Sequence, residues 1–363
     1  VSFLHERPVE SPRRVNAGGS QRIAVVFAAI AASCVLLPAA AALADTGFAR
    51  PEIFAPVSTP ALMIRDLAWL VLAICAAIFT LVGGLLAYAV IRFRARPGDP
   101  DREPAQVYGS RPIELAWTIV PTIIVFILFL ATARSILDLQ KESAPEGWLT
   151  VEVIGHQWWW EFRYPEAGVV TANELHLPVS TEAAPRPTFF QLESADVIHS
   201  FWVPQLSGKQ DVVPNKRNGL WFEPLEPGTY VGQCAEYCGT QHAGMLIRVI
   251  VHPPGEFERW LDSQRQPAVA DATVADGRAV FEQTACINCH RVSGTVADGR
   301  FGPDLTHLMS RTTIASGVAR NDRDNLVRWL EDPDHLKPGA LMPAMQLDEH
   351  EIDRVVAYLM TLR

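Results

Sequence analysis

The segment Cys234-Ala-Glu-Tyr-Cys238-Gly-Thr-Gln-His242-Ala-Gly-Met245 places two thiols, an imidazole and a thioether within twelve residues. Thiolate and thioether sulfur select copper, and imidazole suits copper as well. Structural zinc takes four Cys or His ligands and has no use for a methionine. A disulfide between Cys234 and Cys238 is the plain alternative in an oxidising compartment, and it leaves His242 and Met245 without a task. Two thiolates can bridge two metal ions, but such a pair needs a further nitrogen ligand. His199, in Asp196-Val-Ile-His199-Ser-Phe-Trp202-Val-Pro204, is the upstream candidate.

This loop sits between two short apolar runs, 229–233 and 245–251, and similar runs precede it at 149–154, 158–164, 174–179, 188–193, 201–203 and 219–222. Pro, Gly, Asn and Ser cluster between them. Many short strands separated by turn chemistry predict a β-sandwich with Greek-key connections. No βαβ alternation and no glycine fingerprint is present, so nucleotide-cofactor chemistry has no support. Beyond Pro253-Pro254 the pattern reads as a linker, 253–275, around one short helix near 256–261. Residues 276–363 then have helical character at 276–284, 324–330 and 349–362, with helix starts expected at Asp324 and Asp348.

Within that last unit, Cys286-Ile-Asn-Cys289-His290 is the attachment pattern for c-type haem, with two thiols for thioether bonds and a proximal imidazole. A second axial ligand should lie downstream, where the segment 336–343 resembles the methionine loop of small c-type cytochromes; that resemblance makes Met342 the choice and Met345 the alternative. Met309 and Met360 read as core, and His307 and His335 as surface residues.

Upstream, the uncharged runs 67–91 and 115–133 are each long enough to span a bilayer core, which takes ~20 apolar residues as a helix. Arg92, Arg94, Arg96, Arg102 and Arg111 between or beside them place that connection in the cytoplasm. Everything after about residue 134 then lies on the external face. A first apolar run, 23–44, follows Arg13, Arg14 and Arg22 and ends Ala42-Leu43-Ala44, the pattern of a secretory signal peptide. A retained membrane helix is the rival reading, and Cys34 is a weak lipid-attachment candidate. Glu114 stands at the cytoplasmic mouth of the run 115–133, where physics alone reads it as a headgroup-level carboxylate.

The 363 residues are 49% hydrophobic and 20% charged, which excludes a disordered polyelectrolyte. A net charge of −9 speaks against nucleic-acid binding. Six cysteines are too few for a disulfide scaffold of this length. Both external units are net acidic, which suits a basic redox partner or simply a solubilising surface.

His199 followed by Cys234-x₃-Cys238-x₃-His242-x₂-Met245 resembles the binuclear CuA site of cytochrome c oxidase subunit II. Gly155-His-Gln-Trp158-Trp-Trp160 resembles that family's aromatic stretch, and Glu114-Leu-Ala-Trp117-Thr-Ile-Val-Pro121 the start of its second helix. The resemblance covers residues 54–252. It implies that Cys234 and Cys238 bridge two coppers, with His199, His242, Met245 and the Glu236 carbonyl completing the set. It further implies that the Glu236 side chain reaches a magnesium ion shared with subunit I. Trp158 would be the surface aromatic through which electrons enter, and Glu114 the entrance of a proton path. Leu336-Lys-Pro338-Gly339-Ala-Leu-Met342-Pro343 resembles the methionine loop of small c-type cytochromes. Gly302-Pro303-Asp-Leu305 resembles the segment whose proline carbonyl, here that of Pro303, holds the proximal histidine.

The expectation is a multidomain membrane protein. A signal peptide (1–44) is followed by a transmembrane helical hairpin (45–140) and a cupredoxin-like Greek-key β-sandwich (141–252). A linker (253–275) leads to a small all-α class I cytochrome c domain (276–363). Its expected role is to admit electrons to a haem–copper terminal oxidase through haem c and binuclear CuA. Oxygen reduction to water and proton translocation would occur in subunit I, with subunit III and an external cytochrome c or other donor as further partners. The expected location is a bacterial inner membrane, with the cofactor domains on the periplasmic face. A nitrous-oxide reductase would need many more histidines than the chain's ten. A quinol oxidase would lack the copper ligands, and a membrane-tethered electron carrier or copper-delivery protein remains the other rival.

Overall fold

The computed structural model describes residues 52–94, 106, 108–141, 143–269 and 271–363. The expected signal peptide, Cys34 and two arginines of the cytoplasmic connection, Arg96 and Arg102, lie outside the described residues. Two long helices come first, α1 (Thr59–Arg92) and α2 (Arg111–Leu139), each with a proline in its first two positions. Proline is tolerated there because its missing N–H has no intrahelical partner anyway. At ~1.5 Å per residue α1 is about 51 Å long, well beyond the ~30 Å of a hydrocarbon core, so it projects past the membrane. Large apolar side chains such as Trp69, Phe79 and Phe126 point outward along both helices. Hydroxyls within the apolar runs turn back onto their own helix: Thr80, Thr118 and Thr122 donate to the carbonyls of Ala76, Glu114 and Thr118. Lipid offers no alternative acceptor.

Ten strands follow: β1 (Leu149–His156), β2 (Trp159–Tyr164), β3 (Val169–Ala172), β4 (Glu174–Pro178), β5 (Thr188–Ser194), β6 (His199–Trp202), β7 (Gln210–Val212), β8 (Asn218–Phe222), β9 (Gly228–Cys234) and β10 (Leu246–His252). They form two five-stranded sheets, ordered β3-β2-β1-β5-β8 and β4-β10-β9-β6-β7. β1 with β5 and β4 with β10 run parallel, and the other pairs are antiparallel, giving a cupredoxin-like sandwich. Period-two alternation turns Ile247, Val249 and Val251 of β10 inward against Val151 and Val153 of β1. Trp160, Phe162, Tyr164, Phe190, Phe201 and Phe222 fill the space between, each worth ~1.5–3 kcal/mol of burial. β3 and β7, with four and three residues, are too short to show alternation, and the sequence reading missed them. The run expected at 201–203 begins two residues earlier, so that His199 is itself a strand residue.

The hairpin is pinned to this sandwich at β8 and just after it. Thr59 Oγ1 donates to Glu223 Oε2 at 2.5 Å, Glu223 N to Ser58 Oγ at 3.0 Å, and Trp221 Nε1 to the Leu139 carbonyl at 3.0 Å. The start of α1 and the end of α2 therefore lie on the sandwich side, the arrangement that the charge asymmetry predicts.

Helix α3 (Glu256–Gln264) belongs to the sandwich rather than to a free linker. Phe257 is buried in its core, and Trp260 stacks on His176 with centroids 4.0 Å apart and planes 6° apart. The C-terminal unit contains α4 (Ala275–Gln283), α5 (Cys286–Cys289), a short pair β11 (Thr313–Ile314) with β12 (Ala319–Arg320), α6 (Arg323–Glu331), α7 (Pro333–Leu336) and α8 (Glu349–Leu359). Its core gathers Phe281, Leu326, Leu330, Ile352, Val355, Val356 and Leu359, with Met309 and Met360 packed against it. Asp348 caps α8 as expected, in a capping box with Glu351. The cap of α6 is Asp322, not Asp324: Asp322 Oδ1 accepts Asn325 N, and Asp324 lies in the first turn beside the positive end of the helix dipole. His307 is buried rather than on the surface, its Nε2 3.0 Å from the Gln266 carbonyl, whereas His335 is exposed.

Candidate metal centre and haem cavity

The end of β9, the start of β6 and the loop before β10 converge at one corner of the sandwich. The Sγ atoms of Cys234 and Cys238 stand 3.8 Å apart and both thiols are free, so no disulfide joins them. Around them lie His199 Nδ1 (4.0 Å from Cys234 Sγ), His242 Nδ1 (3.8 Å from Cys238 Sγ), Met245 Sδ (3.9 Å from Cys238 Sγ) and the Glu236 carbonyl (3.1 Å from Cys234 Sγ). His199, Cys234 and Cys238 are buried, with donor atoms within 4.8 Å of one another. The structure thus brings all six expected donors to one place. Glu236 itself is exposed.

The corner is preorganised for a cation. The hydrogen bond with Cys238, aided by His199 against the effect of burial, pulls Cys234 far below the usual thiol range, while the same bond pushes Cys238 up. Burial works against a charged His199, but Asp196 Oδ1, 2.8 Å from its Nε2, and Cys234 together more than offset it and raise its pKa. With Nε2–H held by Asp196, the Nδ1 lone pair faces the thiols, the usual way an outer carboxylate orients a ligating imidazole. Asp196 is itself fixed by the backbone N–H groups of Gln157 and Val197. Gly155 presses flat against His199, since a Cβ there would fall 2.8 Å from its Cδ2. Sulfur-rich, largely buried and with the Cys234 thiol already favoured as thiolate, this donor set fits copper.

Trp158 is half-buried rather than an open surface aromatic. Its indole N–H donates to the Cys238 carbonyl at 2.9 Å, and Gln157 Nε2 donates to the same oxygen at 2.8 Å. Trp160 is wholly buried, and Trp159 stacks on His156.

Trp158 also lines a cavity of about 260 Å³ whose other wall carries Cys286, Cys289 and His290, with both Met342 and Met345 among its lining residues. His290 Nδ1 donates to the Pro303 carbonyl at 2.7 Å. Burial lowers the His290 pKa against the pull of that carbonyl, keeping the ring neutral as a metal ligand requires. Gly302 lies against the ring, and a Cβ there would come 2.6 Å from Cε1. The cavity's two thiols, oriented imidazole and thioethers in a largely apolar wall fit a covalently held haem. Two buried cations, Arg311 and Lys337, also line it. Burial pushes the Lys337 ammonium down to about 7, partly opposed by Cys238.

Glu114 is brought to neither place. It is exposed in the first turn of α2, where its Oε1 accepts Ser110 N at 3.1 Å. Sequence reasoning quoted Asp196, Gly155, Gly302 and Lys337 inside its motifs but assigned them no task, and it passed over Glu174 and Arg311. The spacing of Asp196 three residues before His199 was the one signal that pointed to any of them.

Comparison with known proteins agrees with this geometry. Three family models match in chain order: "Cytochrome C oxidase subunit II, transmembrane domain" over residues 52–133, "Cytochrome C oxidase subunit II, periplasmic domain" over 171–252, and "Cytochrome c" over 274–363. Cytochrome c oxidase subunit 2 of Alkalihalophilus pseudofirmus is 35% identical over 315 residues, covering 85% of this chain and 90% of that protein. Its counterpart from Bacillus sp. (strain PS3) is 33% identical, covering 75% and 80%. The crystal structure of the periplasmic domain of cytochrome oxidase subunit II from Bradyrhizobium japonicum is 30% identical over 34% of this chain and 97% of that one, at a TM-score of 0.31. The chain is accordingly a membrane protein with a periplasmic domain, and copper and haem c are the cofactors its domains imply. With both relatives matched over at least four-fifths of their length, and with the metal corner and haem cavity in the order those domains require, this chain belongs to the cytochrome c oxidase subunit 2 family.

Proposed function

We propose that the chain admits electrons to a haem–copper terminal oxidase of a bacterial inner membrane. Haem c would sit in the cavity and a binuclear CuA centre at the corner of the sandwich, with oxygen reduction and proton translocation in subunit I. The observation that carries this reading is the cluster of six donors around two free thiols 3.8 Å apart, a soft ligand set that suits copper and leaves donors enough for two ions. When bound, the two cofactors supply one-electron acceptance and release with no bond made or broken.

The chain's own residues set distance, orientation and dryness. Cys234, Cys238, His199, His242, Met245 and the Glu236 carbonyl would hold the copper. Asp196 holds the His199 ring, which limits rearrangement on a change of charge. Cys286, Cys289, His290 and Met342 would hold the haem, with the Pro303 carbonyl orienting the His290 imidazole. Trp158 spans the interval, touching the Cys238 carbonyl on one side and the haem cavity on the other. Glu114 as a proton-path entrance, a magnesium ion at Glu236, and subunits I and III as partners follow the family resemblance and complete the proposal.

Copper electron paramagnetic resonance on the intact, haem-loaded chain tests it. One unpaired electron shared equally by two coppers is the expected signal. A single-copper spectrum from stoichiometrically loaded protein refutes the binuclear reading. Migration of the intact chain alone in mild detergent, without a polytopic haem protein, refutes the oxidase assembly.

A further inference from the structure

Two buried charges cross between the sandwich and the C-terminal unit in opposite directions. Glu174 of β4 is 1% exposed, and its Oε1 accepts four hydrogen bonds from the other unit. Thr312 N and Oγ1 donate at 2.8 and 2.6 Å, and Thr313 N and Oγ1 at 3.1 and 3.2 Å. Lys337 is 4% exposed and reaches the opposite way. Its Nζ donates to the carbonyls of Trp158 at 2.8 Å and Gly244 at 2.9 Å, and to Ala315 of its own unit at 3.1 Å. Gln241 Nε2 adds a bond to the Pro338 carbonyl, and Gly317 packs on Leu246. The two Lys337 acceptors on the sandwich are informative. Trp158 is the residue shared by both cofactor places, and Gly244 lies in the loop between His242 and Met245.

We infer that Glu174 and Lys337 are positioning residues that lock the haem-bearing unit onto the copper-bearing unit as one rigid body, fixing the haem cavity against Trp158 and the 240–246 loop. Both groups have left water: the four bonds to Glu174 Oε1 all come from across the seam, as do two of the three Lys337 acceptors. Removing either side chain while the seam stays closed would leave the opposite unit's N–H, hydroxyl or carbonyl groups buried without their partner, a loss that favours opening the seam. Exposed ion pairs would be screened by salt and leave the unit free to swing, whereas these contacts are not exposed. The haem is then a resident donor at one set distance, and its unit covers the flank of Trp158 against an outside donor. That consequence rests on the function proposed above; the lock itself does not.

The test uses the haem- and copper-loaded oxidase in detergent, comparing the unaltered protein with Lys337→Met and Glu174→Gln. Hydrogen exchange is read on the peptide opposite each change, and retention of the haem α-band reports that the unit is folded. In Lys337→Met, exchange over 312–314 is expected to rise about 100-fold, although no residue there has been altered. In Glu174→Gln, exchange over 240–246 is expected to rise at least tenfold. Unchanged exchange at the opposite peptide in either variant overturns the lock. Should Lys337→Met fail to take up haem, Glu174→Gln decides, because Glu174 does not line the cavity. Haem-to-copper electron transfer after flash reduction of the haem is expected to be the same at 20 and 500 mM salt, and to slow at least tenfold in whichever variant opens the seam. A tenfold fall with salt in the unaltered protein means docking by surface charge and overturns the inference. An opened seam with an unchanged rate would refute the function's route while leaving the lock standing.

Discussion

Replacing Gly302 by alanine should damage the haem unit through a single methyl group. The Cβ would stand 2.6 Å from His290 Cε1, 3.0 Å from Nδ1 and 3.2 Å from Nε2, where ordinary contact begins near 3.4 Å. The φ angle at Gly302 is not in the left-handed region, so backbone strain adds nothing and the effect is steric. The ring must retreat by about 0.8 Å, yet it is held by the 2.7 Å bond to the Pro303 carbonyl and cannot slip aside freely. Overpacking of this kind costs ~1–3 kcal/mol, and weakening the Nδ1–H bond adds ~1 kcal/mol. For a unit of this size each kcal/mol is worth ~4–8 °C, so melting followed at the haem Soret band should fall by roughly 8–30 °C. An imidazole that has lost its carbonyl partner is a poorer donor to ferric iron, so the reduction potential should rise. Haem-loaded Gly302→Ala protein with a melting temperature within ~2 °C of the original and an unchanged potential would refute the claim that this glycine seats the ligand.

Asp196→Asn should lower copper affinity ~10–100-fold by loosening the His199 tautomer, measured by competition with a copper chelator, while haem content stays the same. Met245→Leu should shift the copper optical bands and spare haem incorporation; loss of both would identify Met245 as a folding residue instead. Hydrogen bonds from His156 and Arg163 outweigh burial and hold Glu161 below its ordinary 4.5. Its contribution to stability is therefore complete above that value and is lost as pH falls through the lower, folded-state value. Glu161→Gln should flatten this part of the acid limb of a denaturation series, and an unaltered limb would count against the assignment. Asp348→Ala removes the capping box of α8 and should destabilise the C-terminal unit by ~1 kcal/mol in a denaturant melt.

The chemistry that lies close together along the chain was readable without coordinates. Cys234, Cys238, His242 and Met245 share one loop, and Cys286, Cys289 and His290 share little more than a helical turn, so their spacing is already most of their geometry. The two apolar runs declare themselves because a bilayer sets a minimum length and the arginines between them set the orientation. The strands of five to eight residues announced themselves by alternation, while β3, β7 and the true cap of α6 were too local or too short to register. What tertiary structure alone decided is which distant groups complete the sites. Gly155 reaches His199 only once β1 lies against the start of β6. Glu174 meets Thr312 across 138 residues, and Lys337 meets Trp158 across 179. In sequence, Lys337 looks like any surface lysine and His307 like any surface histidine. Local spacing encodes which atoms can share a metal, but burial is a property of the whole packing, and it is burial that turns an ordinary charge into a structural constraint.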